Sequence, residues 1–117
     1  MSGGGIGGRQ LQLNLGGEGE EADCINQQPP WVDLTWAIAR NGLPLSALTT
    51  ASVPLLFCDN TDLCFPDSIV DNVYTNGVPV DLGMTWLGPS VTSAEIKRVL
   101  KSGGCWYDNG VPVYQKP

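Results

Sequence analysis

The sequence predicts an α/β fold: a short, mainly parallel sheet with helical crossovers and a C-terminal antiparallel hairpin. Three observations carry this. Short apolar or alternating runs bounded by glycine, proline and asparagine recur along the chain, as strands do. Segments with helical spacing stand between them, the pattern of right-handed parallel crossovers. Near the end, Asp108-Asn109-Gly110 separates Cys105-Trp106-Tyr107 from Val111–Tyr114, a strong hairpin turn signal.

Each element has a local reason. Gln10–Leu15 (QLQLNL) alternates polar and apolar residues and reads as a strand, ended by Gly16, Gly17 and Gly19. Cys24-Ile25-Asn26 reads as a second short strand, stopped by Pro29-Pro30. Those prolines suit a helix start, Trp31, Leu34, Thr35 and Ile38 recur at helical spacing, and Asn41-Gly42 stops the helix. Val53–Cys58 (VPLLFC) is a continuous apolar run, expected as a strand buried on both faces and a central neighbour of the first strand. Asp59–Asp67 is a polar loop anchored by Phe65-Pro66. Val70–Thr75 is a further strand, followed by the loop Asn76–Gly88. Thr92-Ser93-Ala94-Glu95 matches a capping box, with Val91 and Ile96 placed as a hydrophobic staple. Ile96, Val99 and Leu100 form the expected buried stripe, and Gly103-Gly104 the expected end of that helix.

The 117 residues suffice for a single core, read as one domain over 10–117 behind a flexible leader at 1–9. That leader is either an appended tail or the stub of a longer chain. No apolar run approaches the roughly 20 residues that span a bilayer, and no basic-then-apolar signal segment opens the chain. A net charge of −6 gives no electrostatic reason to hold nucleic acid. The one basic cluster, Lys97, Arg98 and Lys101, reads as a solvated helix end complementing the helix dipole. With no histidine and no C-x-x-C pair, the four cysteines do not suggest zinc, and histidine-based nucleophilic catalysis is excluded. Cys58 and Cys105 sit in apolar runs and are expected as small core residues, in a chain most simply cytosolic and reduced.

The glycine-rich turn Leu13-Asn14-Leu15-Gly16-Gly17-Glu18-Gly19 is the first candidate site. Such a turn lets a ligand approach backbone N–H groups at the carboxyl edge of a sheet, or is simply a turn. Glu18, Glu20 and Glu21 crowd it. They would repel a pyrophosphate and suit a cationic ligand, which argues against a nucleotide-handling enzyme using NAD.

Three segments carry a family resemblance. Leu13–Gly19 is similar to an L-N-L-G-x-G-x-G first strand and turn. Phe65-Pro66-Asp67-Ser68-Ile69-Val70-Asp71-Asn72-Val73-Tyr74 resembles F-P-D-x-x-x-D-x-V-Y, and Glu95–Gly104 (EIKRVLKSGG) resembles E-I-x-R-V-L-K-P-G-G. Together and in this order they resemble the class I S-adenosylmethionine-dependent methyltransferases. More narrowly, Asn76–Asp81 (NGVPVD) and Leu87-Gly88-Pro89 look like the methyltransferase-like C-terminal tips of bacterial RHS/YD-repeat polymorphic toxins. The resemblance implies a minimal Rossmann-like three-layer sandwich and S-adenosylmethionine as cofactor. Gly16, Gly17 and Gly19 would wrap its methionine part. Asn26 and Gln27 would stand where the family has an acidic ribose ligand. Asp59 would face the adenine amino group with Asn60 beside it, and Leu63 would pack on the ring. Asn76 to Pro79 would occupy the mouth of the acceptor pocket, where Asn76 and the backbone carbonyls near Pro79 would orient an amine or hydroxyl. A toxin tip implies delivery into a target cell by a dedicated secretion system, and a cognate immunity protein as partner.

The departures are equally specific. No helix fits between Gly19 and Cys24, the acidic ribose ligand is absent, and the chain stops soon after the fifth strand. The alternative is therefore an interaction module that keeps the fold without the catalysis. Blander roles also stand: Asp67 as a loop cap, Asp71 as a solvent-facing strand residue, Asn76-Gly77 as a turn, and the four tryptophans as packing.

Overall fold

The computed structural model describes residues 10–17, 20–21, 23–29, 55–85 and 88–117. Six strands form one sheet: β1 (Gln12–Leu15), β2 (Ile25–Gln28), β3 (Leu55–Phe57), β4 (Val70–Thr75), β7 (Leu100–Asp108) and β8 (Val111–Gln115). Their order is β3-β2-β1-β4-β7-β8. The first five run parallel and β8 returns antiparallel. Two short strands, β5 (Met84–Thr85) and β6 (Gly88–Pro89), pair antiparallel with each other inside the loop after β4. One helix is described, α1 (Ser93–Val99), between β6 and β7. The expected helix after Pro29-Pro30 lies outside the described residues, as do Trp31, Trp36 and Trp86.

The sheet has two chemically distinct faces, and alternation along the strands creates them. Across one face a register row runs Ile25, Leu13, Val73, Trp106, Tyr114. All five belong to the hydrophobic core or pack against it, together with Ile96 and Val99 from α1. The adjacent row on the other face runs Asn26, Asn14, Tyr74, Tyr107. This face is polar and knitted by its own side chains. Tyr74 Oη and Asn72 Nδ2 both donate to Gln12 Oε1, at 3.0 and 3.3 Å. The Tyr74 and Tyr107 rings stack at 5.2 Å.

The parallel sheet and terminal hairpin agree with the expectation. At the β7–β8 turn, Asn109 and Gly110 both take positive φ, as a two-residue hairpin turn requires. Four expectations need correction. First, β1 and β3 are parallel and in one sheet, but β2 lies between them. Among the described strands β3 is at the edge, and Phe57 is exposed rather than buried on both faces. A run of apolar residues reports burial, not position in the sheet, and three residues are too short to separate the two.

Second, the capping box does not form. Thr92 makes no side-chain cap bond. The first turn is satisfied from a distance instead, Ser93 N donating to Asp81 Oδ1 at 2.9 Å. Glu95 turns away from the helix start, accepting from Leu63 N at 2.8 Å and pairing with Arg98. Third, α1 ends at Val99, and Leu100 opens β7 as a fully buried strand residue. Gly103 and Gly104 do not end the helix. They lie in a bulge of β7, where Val70 pairs with Leu100 but Asn72 already pairs with Cys105. Gly104 is needed there, since a Cβ would come 2.7 Å from Asp71 O. Fourth, Cys58 is not a free core thiol. It is buried but forms a disulfide with Cys64, which also removes the expectation of a fully reduced chain. Cys105 is half-buried on the polar face, and Cys24 is the buried free cysteine.

Candidate functional site at the carboxyl edge of the sheet

In a parallel sheet, ligands favour the crevice at the carboxyl ends of the strands where the strand order reverses. Here that point lies between β1 and β4, so the residues that matter follow Leu15 and Thr75. Gly16 leaves β1 at φ +67°, a left-handed conformation glycine adopts freely. Its α-carbon faces Val78 of the β4 loop so closely that a Cβ would lie 2.7 Å from Val78 Cγ2. Gly17 is buried against β2. Its N–H reaches Asn14 O at 3.1 Å and Gln27 O at 3.2 Å, and its carbonyl accepts from Gln28 Nε2 at 2.8 Å. A Cβ on Gly17 would collide with the Asn26 side chain and come 2.6 Å from Asn14 O. Both glycines are thus demanded by the protein's own packing. Gly19 and Glu18 lie outside the described residues.

Across the crevice stands Asn76. Its Nδ2 donates to Glu20 Oε2 at 3.0 Å and Glu21 Oε2 at 2.9 Å, so two carboxylates converge on the end of β4. Their field is felt at Cys24, whose thiol pKa is pushed up to about 11 by burial first and then by Glu21, Glu20 and Asp23. Pro79 sits in the same loop, but its carbonyl accepts from Val91 N at 3.2 Å and so serves the loop's own fold.

The expected ribose and adenine residues gather further along the edge. Asn14, Asn26, Gln27, Gln28 and Asn60 are all buried amides. Asn14 Nδ2 donates to Asn26 Oδ1 at 3.1 Å, and Gln27 Nε2 donates to Asn60 Oδ1 at 3.3 Å. The pairs lie on opposite faces of the sheet, because Asn26 and Gln27 are consecutive strand residues. Asn14 Oδ1 and Gln27 Oε1 are buried with no hydrogen-bond partner among the described residues. Such an orphaned acceptor costs about 1–3 kcal/mol and calls for a physical reason.

Asp59 does stand just past the end of β3. Its Oδ1 accepts from Thr61 N at 2.8 Å and Thr61 Oγ1 at 2.7 Å, and the Thr61 N–H above all holds its carboxyl below the usual range. Through Oδ1 the carboxylate thus holds its own turn. Leu63 is buried in the main core rather than open to a flat ring. Asp67 receives Arg98 Nη1 at 2.7 Å. Asp71 is half-buried rather than solvent-facing: it accepts from Leu11 N at 2.7 Å and pairs with Lys101.

The structure adds residues that the chain alone did not single out. Asn14 and Gln28 are among the buried amides, and Cys58–Cys64 straps the loop bearing Asn60; Val78, within the expected pocket mouth, closes over Gly16. The available signal for the strap was two cysteines bracketing a short polar loop. Asn14 and Gln28 were hidden because an amide in a strand looks the same whether it faces solvent or the interior. Among the described residues no helix is long and apolar enough to cross a membrane, and no group of three or more His, Cys, Asp or Glu side chains could hold a metal ion.

Comparison of the chain with protein-family models, with curated proteins and with solved structures finds no significant match.

Proposed function

We propose that the chain is a methyltransferase-like domain that binds S-adenosylmethionine at the carboxyl edge of its sheet. The strand order 3-2-1-4 followed by β7 and an antiparallel β8 is compatible with a minimal Rossmann-like methyltransferase sandwich. The observation that carries the reading is the convergence of Glu20 and Glu21 on Asn76 beside Gly16, where the strand order reverses. Two carboxylates at that point favour a cationic ligand and disfavour a pyrophosphate. Gly16 would present backbone to the methionine portion, with Gly17 packed against β2 behind it, while Gln27 and Asn60 would offer neutral amides to the ribose and adenine. When bound, the cofactor supplies a methyl group on an excellent sulfonium leaving group. Transfer then needs alignment more than proton movement, which suits a chain without histidine. Asn76, held by two glutamates, would orient an amine or hydroxyl acceptor.

Calorimetry with S-adenosylmethionine, S-adenosylhomocysteine, NAD and ATP tests this. The two adenosyl-sulfur ligands should bind and stabilise the fold by about 2.7 kcal/mol at a hundred times their dissociation constant. NAD and ATP should not. Absence of binding by either adenosyl-sulfur ligand at millimolar concentration would sink the proposal.

A second reading is a toxin-tip or interaction module without catalysis, working through a partner such as an immunity protein. It is favoured by Leu82, just before β5, and Met84 in β5, which stand out at 68% and 76% exposure. The Cys58–Cys64 disulfide is in keeping with passage through an oxidising compartment. Failure of every ligand above would leave this reading standing.

A further inference from the structure

The loop from Cys58 to Cys64 covers the end of β2, and its construction is that of a latched lid. Its base is fixed on both sides. Cys58 N donates to Gln28 O at 3.1 Å, and Leu63 is sunk in the core with its N–H on Glu95 and its carbonyl accepting from Arg98 Nη2 at 3.1 Å. Between them, Asp59 to Asp62 closes as a small turn, with Asp62 N on Asp59 O at 3.1 Å and the Asp59 carboxylate on Thr61. Thr61 and Asp62 face solvent, while Asn60 points inward and is buried on Gln27. The Cys58–Cys64 disulfide crosses the base of this turn, joining α-carbons 6.0 Å apart.

Beneath the lid lies the orphan. Gln27 gives its Nε2 to Asn60, and the Oε1 of the same carboxamide is sealed from solvent with no partner among the described residues. A buried acceptor without a donor is tolerated where a ligand or water completes it.

We propose that the Cys58–Cys64 disulfide latches this loop shut over Gln27, and that its reduction opens the carboxyl edge of β2 to ligand. Cys64 is exposed and Cys58 buried, so attack falls on Cys64 Sγ. A thiolate of a dithiol reductant displaces the Cys58 sulfur, which takes up a proton. The reductant's second thiol then releases Cys64. Two electrons and two protons pass to the protein, which ends with two thiols, and the dithiol ends as a disulfide. The non-covalent anchors of Cys58 and Leu63 remain, but the covalent closure across the turn is gone, and Asn60 is held over Gln27 by a single side-chain hydrogen bond. The free Cys24 and Cys105 take no part.

The latch stands on the loop geometry. Only its ligand arm rests on the cofactor reading. The test is hydrogen–deuterium exchange of the whole chain, oxidised and after dithiothreitol, with Cys64→Ser as a second route to the open state. Reduction should speed exchange across 59–64 and 26–28 by about tenfold or more, leaving 70–75 and 105–108 protected. Cys64→Ser should match the reduced protein and ignore the reductant. Unchanged exchange in the loop would overturn the latch. So would loss of protection throughout the sheet on reduction, since the disulfide would then hold the fold and not the lid. S-adenosylhomocysteine titrated into both states should bind about threefold or more tightly to the reduced form, where the competent population is larger. If the loop opens as described yet neither state binds, the latch stands and the cofactor reading falls.

Discussion

Replacing Gly16 by Ala separates the two structural needs for glycine at the centre of the candidate site, its backbone conformation and its closeness to Val78. The new Cβ acts in two ways. It forces a non-glycine residue to φ +67°, which costs about 1–2 kcal/mol. It also falls 2.7 Å from Val78 Cγ2, with the other Val78 carbons at 3.9 Å. Relieving one such methyl contact means moving the β4 loop or leaving a favoured rotamer, about 1–3 kcal/mol for overpacking. The two effects sum to a loss of roughly 2–5 kcal/mol. Val78→Ala removes the obstructing methyl and leaves the backbone conformation untouched. In that background Gly16→Ala should cost only the conformational part, about 1–2 kcal/mol. The four proteins of this cycle are compared by urea unfolding, with stability read at constant m. An equal cost of Gly16→Ala in both backgrounds would refute the contact with Val78. A cost below about half a kilocalorie in the parent would refute both effects, because the left-handed backbone alone exceeds it.

Two further outcomes follow from the core and the loop network. Leu100 is fully buried at the start of β7, so Leu100→Ala should lose about 2–5 kcal/mol in the same unfolding assay; a loss below half a kilocalorie would show that the site collapses without a cavity. Glu95 has its carboxyl held below the ordinary 4.5, by Arg98 first and with help from the Leu63 N–H. A depressed carboxylate contributes stability above its unfolded value, and this is lost as pH falls through the folded one. Stability should therefore drop as pH falls below about 4.5, and Glu95→Gln should flatten that part of the profile. An unchanged slope would place the acid sensitivity elsewhere.

What the chain declared by itself was local. The alternation in Gln10–Leu15, the Val70–Thr75 strand and the Asn109-Gly110 turn are each specified within a few residues, by side-chain period and by which residues accept positive φ. The glycine turn and the acidic residues beside it were equally plain. Tertiary structure decided what depends on distant partners. Placing β2 between β1 and β3 requires pairing across a long connection, which no short window encodes. Asp81, twelve positions away in sequence, satisfies Ser93 N in place of the local capping box, because Glu95 gains more from Arg98 and the Leu63 N–H than from its own helix start. The engagement of Asp59 with Thr61, the meeting of Asn76 with Glu20 and Glu21, and the sealing of Gln27 beneath a disulfide-strapped loop have the same origin. Hydrogen-bonding capacity is written in residue type, but which donor meets which acceptor is settled only when the strands come together.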